Sequence, residues 1–188
     1  MSAPAAQTVS ERDPAGGGTF RAADATLRDG RVVHLRSIRV SDEAEVVQAF
    51  ERLSPDARYM RFMRVVKAPN MERLRKTLAA FPKGGDTIIA TVPAADGIDI
   101  VGGATYVILD DPTHGEFAIT VAADYGGAGL GSTLMRVMIE AASRRGLKAM
   151  EGFVLAVNQP MLRLASRLGF SIARDPDDPS TRICTLTL

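Results

Sequence analysis

The chain predicts an α+β domain, and three observations carry that prediction. A strand, a glycine-rich turn and a helix follow one another from Glu116 to about Ala141. A second strand–helix pair runs from Lys148 to Gly169. Upstream, the order is one strand, a group of helices and a strand pair, so that the whole reads β-αα-β-β-β-α-β-α-β.

Each element has a local reason. Val32 to Arg39 alternates well enough for a first strand. Ser41-Asp-Glu opens a helix to about Leu53, with acidic residues in its first turn. Ser54-Pro55 supplies an N-cap and a first-turn proline for a second helix. Asn70 caps a third helical stretch that ends near Phe81-Pro82. Thr87 to Val92 and Ile100 to Leu109 form a strand pair joined by Pro93-Ala-Ala-Asp-Gly97. Phe117, Ile119 and Val121 alternate with Glu116, Ala118 and Thr120, a two-residue period. Leu130, Leu134, Val137, Met138 and Ala141 then fall on one helical stripe. Asn158 caps the last helix, Pro160 suits its first turn, and Gly169 ends it. Met161, Leu164, Ala165 and Leu168 are its apolar face, and Arg182 to Leu188 is the last strand.

The turn between Val121 and the stripe holds Gly126, Gly127, Gly129 and Gly131. Glycines where a helix opens leave backbone N–H groups uncovered, and the helix dipole adds partial positive charge, a combination that binds phosphate oxygens. A Walker A loop needs Lys-Ser or Lys-Thr after its last glycine, whereas Ser132-Thr133 follows Gly131. A Rossmann fingerprint reads G-x-G-x-x-G, which Gly127-Ala-Gly129-Leu-Gly131 does not fit. What remains is a pyrophosphate loop of a third kind, or a glycine-rich connection without a ligand.

The two strand–helix segments together resemble motifs A and B of the GNAT superfamily of acyl-CoA-dependent N-acyltransferases. Upstream, Leu27-Arg-Asp-Gly-Arg-Val-Val-His-Leu-Arg-Ser-Ile-Arg-Val-Ser-Asp-Glu43 and Leu53-Ser-Pro-Asp-Ala-Arg-Tyr-Met-Arg-Phe62 are similar to the acyltransferase domain of bacterial Pat-type protein lysine acetyltransferases. So is Glu116-Phe-Ala118 at its distance from the glycine loop. The resemblance covers roughly residues 26–188. It implies a mixed, mostly antiparallel central sheet flanked by helices, acetyl-CoA as co-substrate, no metal, and direct transfer to an amine. A protein lysine is the leading acceptor it implies. A small amine, or a degenerate domain that binds acyl-CoA without turnover, is the alternative.

The resemblance also assigns roles. Gly126, Gly127, Ala128, Gly129, Leu130 and Gly131 form the phosphate loop, and Ser132 donates from the first helical turn or only caps it. Val121 bonds the pantetheine arm through its backbone, and Asn158 bonds the arm, caps its helix, or both. Glu116 matches the proposed catalytic base. This sequence departs from the family pattern at Gly126, where Gln or Arg is usual, and at Ala128, where a basic residue is common. The loop therefore offers no side-chain cation of its own. Arg136, about one turn into the helix, is either a source of charge or an ordinary solvated position. The tyrosine that many relatives use as general acid has Ala165 in its place.

The chemistry is modest in its demands. An alkylammonium with a pKa near 10.4 is almost wholly charged at neutral pH, so a general base helps. A partially buried carboxylate is suitable, and Glu116 stands at the start of the strand beside which a thioester would emerge. His114 is the runner-up within the turn-like Asp110–Gly115 stretch, and His34 reads as structural. Cys184 reads as a buried strand residue rather than a nucleophile.

Composition bounds the rest. The chain has 188 residues, 46% of them hydrophobic, and a net charge of +1. This suits one globular domain and gives no basic tract for nucleic acid. One cysteine and two distant histidines provide neither an internal disulfide nor a zinc-type cluster, and fit a reducing, cytoplasmic setting. No run of about 18 apolar residues suggests a membrane span, and the first residues lack a basic-then-apolar leader pattern. Residues 1–24, with Gly16-Gly17-Gly18, read as a flexible tail, and residues 25–188 as the catalytic domain. Regulation through a fused nucleotide-binding or synthetase-like domain is not expected.

Overall fold

The computed structural model describes residues 20–188. The expected tail lies outside the described residues up to residue 19. Its last part holds a strand that the sequence does not announce, β1 (Ala23–Thr26), which pairs with β2 (Val32–Ser37). Three helices follow: α1 (Glu43–Glu51), α2 (Pro55–Phe62) and α3 (Met71–Ala80). Next come the long hairpin β3 (Gly85–Ala94) and β4 (Gly97–Ile108), then β5 (His114–Val121) and α4 (Leu130–Arg144). The chain closes with β6 (Ala149–Leu155), α5 (Gln159–Arg167), β7 (Ser171–Arg174) and β8 (Thr181–Thr187).

The strands form one eight-stranded sheet in the order β1-β2-β3-β4-β5-β6-β8-β7. Every neighbouring pair is antiparallel except β5–β6. The expected α+β class and mixed, mostly antiparallel sheet are thus what the chain forms. Short loops enforce most of the antiparallel pairing, while the parallel pair needs α4 as its crossover.

Capping fixes where the helices begin. The Ser54 side chain accepts from the Ala57 N–H at 3.1 Å, with Pro55 behind it. Asn70 accepts from Arg73 N–H at 2.8 Å. Each cap satisfies one donor that the first helical turn leaves open. α1 starts later than Ser41-Asp-Glu suggests, because residues Val40–Asp42 form a 3-10 turn first. Asp42 is pinned there by Arg36, whose two guanidinium nitrogens each donate to it at 2.7 Å, and by the Arg39 N–H. Burial raises the Asp42 pKa, but these donors outweigh it and hold the carboxyl below its usual range.

The core lies between the sheet and α4. Leu130, Leu134, Met135, Met138, Ala141 and Ala142 of α4 are buried against Ile88, Ala104, Tyr106 and Phe117. The stripe is turned slightly from the expected one: Met135 is buried and Val137 is only half-buried. Close approach is possible because Gly102 lies beneath the helix, where a Cβ would come within 2.9 Å of Leu134. Truncating Leu134 would cost roughly 2–5 kcal/mol, the usual range for a buried leucine.

Candidate active site

The sheet splits at one place. β5 and β6 pair only at His114↔Ala149, Gly115↔Met150 and Glu116↔Glu151, although β5 continues to Val121 and β6 to Leu155. Beyond Glu116 the two strands diverge as a fork. Phe117 packs beside the split. Its ring occupies the space beside Gly152, where a Cβ would sit 2.5 Å from a ring carbon. Phe170 packs on the same ring at 5.0 Å between centroids. Gly152 thus leaves room for the Phe117–Phe170 pair on the core face of the sheet.

The fork leaves backbone groups without strand partners. Ala122 N–H donates to Val101 carbonyl, so alternation turns Thr120, Ala118 and Glu116 toward β4. The Phe117 N–H completes the pair at Glu116↔Glu151, and the Phe117 C=O with the N–H and C=O groups of Ile119 and Val121 face the gap. An extended chain laid there would meet a ready-made strand edge.

At the open end of the fork stands the glycine loop. Gly127 and Gly129 have φ of 76° and 93°, the left-handed region that favours glycine. The first α4 hydrogen bond runs from Thr133 N–H to Gly129 carbonyl. The N–H groups of Gly127, Gly129, Leu130, Gly131 and Ser132 donate to no described group. They cluster at the positive end of a fifteen-residue helix. The side chains of Ala128 and Leu130 are buried in the core, so what these two present to a ligand is backbone.

A hairpin from the far end of the chain braces this loop. Arg28 N–H donates to Ala128 carbonyl at 3.0 Å, and the Arg28 side chain lies over Gly129, 3.3 Å from where a Cβ would be. Arg31 donates to Asp124 carbonyl at 2.9 Å and covers the Tyr125 ring at 3.9 Å. A cation therefore does stand at the glycine loop, supplied by the β1–β2 turn. Arg136 is exposed on α4.

A cavity of about 360 Å³ fills the fork and extends under α2. Val121, Gly131, Asn158 and Leu164 line one part of it; Ala57, Met60, Arg61 and Glu116 line another. Asn158 caps α5 by accepting from Met161 N–H at 3.2 Å while facing this space. Glu116 sits at the vertex of the fork and is exposed to the cavity, not partly buried. Arg61 is half-buried opposite it. Desolvation lowers the Arg61 pKa, the Glu116 charge works in the other direction, and neighbouring Arg73 adds to the lowering.

The structure thus brings Glu116, Val121, Gly131 and Asn158 to one cavity. Gly126, Gly127, Ala128, Gly129, Leu130 and Ser132 lie at or beside its phosphate-like end without lining it. His114 does not line it; it pairs with Asp111 at 2.8 Å on the surface. His34 pairs with Asp24 of β1 at 2.7 Å. Ala165 is fully buried, and so is the Cys184 residue, whose thiol burial pushes upward in pKa. Arg28 and Arg61 reach these places through tertiary structure, and no local pattern marks them. Among the described residues, no cluster of three or more His, Cys, Asp or Glu is placed to hold a metal, and no helix is long and apolar enough to cross a membrane.

Comparison with known proteins agrees with this geometry. The chain is 34% identical to Acetyltransferase PA5475 of Pseudomonas aeruginosa, over 87% of this chain and 88% of that one. Its fold is similar to the GNAT domain of S. lividans PAT, with a TM-score of 0.81 at 20% identity, covering 89% of this chain and 97% of that chain. It is also similar to yncA of Salmonella typhimurium, a putative acetyltransferase solved with acetyl-CoA, with a TM-score of 0.64 at 20% identity, over 83% and 94% of the two chains. The pattern of the acetyltransferase (GNAT) family matches residues 50–170. The chain therefore belongs to the GNAT acetyltransferase family.

Proposed function

We propose that this protein moves an acetyl group from acetyl-CoA to the side-chain amine of a protein lysine, by direct attack while both substrates are bound. The observation that carries this reading is the position of Glu116. It stands where the β5–β6 fork closes, in the cavity that joins the fork to the α2 side.

The residues present suit the co-substrate. The unpaired amides from Gly127 to Ser132 and the α4 dipole match two phosphates, and Arg28 adds the cation that Gly126 and Ala128 do not. The free edge at Phe117, Ile119 and Val121 matches the amide-bearing pantetheine arm, with Asn158 beside it. The thioester would then point toward the vertex. When bound, acetyl-CoA supplies the activated acyl group.

Glu116 receives the proton of the acceptor ammonium, directly or through one water, because its carboxylate is open to the cavity. The α2 helix and its surroundings between Ser54 and Phe81 form one wall for the acceptor. The lysine assignment rests on the similarity of residues 27–62 to Pat-type enzymes. A reducing, cytoplasmic setting suits a chain whose one cysteine, Cys184, is a buried free thiol.

Glu116→Gln tests the reading. It keeps the shape and removes the basicity, so turnover falls by roughly 10²–10⁴-fold. The acidic limb of the pH–rate profile disappears, and acetyl-CoA affinity measured by calorimetry stays unchanged. A fall of less than about threefold, under 1 kcal/mol of barrier, would exclude Glu116 as the principal base.

A further inference from the structure

We propose that Arg61 receives a carboxylate carried by the acyl acceptor close to its reacting amine. The proposal builds on the reading of Glu116 as the base of the acceptor cavity and adds the chemical class that the cavity selects.

Several arginines of this protein have protein partners. Arg36 makes a two-pronged pair with Asp42 at 2.7 Å. Arg58 donates to the carbonyls of Glu51 and Lys67, and Arg75 grips Glu43. Arg31 reaches Asp29 and the Asp124 carbonyl. Arg61 has no hydrogen bond and no ion pair among the described residues. Its closest recorded partner is the Phe62 ring, 5.0 Å from the guanidinium carbon.

This guanidinium faces the cavity and not a protein partner. It is half-buried, lines the cavity, and is desolvated enough that its pKa falls. A half-buried cation that lines a cavity and makes no hydrogen bond to the described residues is well placed to receive an anion that arrives with a ligand. A planar carboxylate offers two acceptor oxygens to two parallel N–H groups, the strongest such match.

Position decides which ligand carries the anion. The uncovered amides and Arg28 lie at the α4 end, while Arg61 shares the Glu116 end. Phosphates held by α4 would leave Arg61 unpaired, so the anion belongs to the acceptor. Charge order points the same way. An acceptor bearing only an ammonium meets Glu116 but is repelled by Arg61 and by Arg73 behind it. An acceptor bearing both groups places its amine by Glu116 and its carboxylate by Arg61, so that opposite charges alternate.

Such a carboxylate has two sources: an acidic side chain next to a target lysine, or the α-carboxylate of a free amino acid. Two matched pairs of acceptors distinguish them. One is a capped peptide with lysine flanked by glutamates against the same peptide with glutamines. The other is a free amino acid against its carboxamide. Binding to the CoA-saturated protein is measured by calorimetry, and acetylation by thiol release from acetyl-CoA.

The carboxylate member of at least one pair is expected to bind about ten- to a hundredfold more tightly than its neutral partner, as for hydrogen bonds to charged groups. In Arg61→Met that ratio should collapse toward one, with acetyl-CoA affinity and the unfolding midpoint retained. Arg61→Lys should keep part of it. Glu116→Gln separates this inference from the one beneath it, because it removes turnover and leaves the binding ratio in place. Equal binding of both members of both pairs by the parent protein overturns the proposal. So does a ratio that survives in Arg61→Met.

Discussion

The two ends of the cavity are built from different material. The end at the glycine loop is made of backbone: unpaired N–H groups at the head of α4, a free strand edge on β5, and turns that glycine alone adopts without strain. The end at α2 is made of side chains: Glu116 at the vertex, Arg61 across from it, and Met60 and Met63 around them. A backbone site is set by the fold and accepts any sequence that keeps the glycines. A side-chain site changes its preference with one substitution. The comparison teaches where to look for what is general in this enzyme and what is particular to it.

Three substitutions sharpen that contrast. Gly152→Ala has the largest expected effect, because the new methyl would collide with Phe117, which Phe170 holds in place. Overpacking of this kind costs roughly 1–3 kcal/mol, read as a lowered denaturation midpoint. A neutral result would mean that the Phe117 ring can shift to make room. Gly129→Val comes next. Its φ of 93° and the Arg28 side chain both oppose a branched residue, and the amides would lose their approach to phosphate. Acetyl-CoA affinity should weaken by about tenfold or more while the far-UV spectrum persists, a loss typical of a site that depends on close backbone approach. Unaltered affinity would break the assignment of the loop.

Arg28→Ala has the smallest expected effect. Arg28 is exposed, so its charge is screened and its loss should weaken acetyl-CoA about three- to fivefold, within the range of an exposed ion pair. The same measurement with dephospho-CoA identifies its target. If the penalty vanishes there, Arg28 serves the 3′-phosphate; if it persists, the pyrophosphate. No penalty with either ligand would leave the loop as a purely backbone site.

The sequence was most informative where structure is local. Ser54, Asn70 and Asn158 cap the helices they were expected to cap, because a cap reads only the next three residues. The glycine loop and its two flanking elements stood in one continuous stretch. Strands β1 and β7 went unread for the opposite reason. Each has four residues, and every side chain of β7 is exposed, so neither shows an apolar period. Pro93 suggested a loop yet sits in β3, beyond Thr91 where pairing with β2 ends. A proline is tolerated where no neighbour needs its N–H. On α4 the expected Leu130, Leu134, Met138 and Ala141 are buried, and packing against the sheet adds Met135 and leaves Val137 at the margin.

At the candidate site, Glu116, Val121 and Asn158 were legible through motif position. Their convergence on one cavity depends on the single parallel pair, β5–β6, which no local pattern announces. Arg28 meets Gly129 across about a hundred residues of chain, and Arg61 faces Glu116 across more than fifty. Such meetings are products of tertiary structure. The expected partial burial of Glu116 failed because its side chain alternates away from buried Gly115 and Phe117 and meets the open cavity.

The gap between β5 and β6 has one more consequence. Sheets ordinarily carry their unsatisfied edges at the periphery, where another chain can add itself and start aggregation. Here a length of edge lies in the middle of an eight-stranded sheet, between β5 and β6, walled by α2 on one side and α5 on the other. A slot of this kind offers strand-edge hydrogen-bonding groups to an extended, amide-bearing arm. The protein is in this sense a sheet with one removable strand, and whatever fills the slot should raise its melting temperature by mass action.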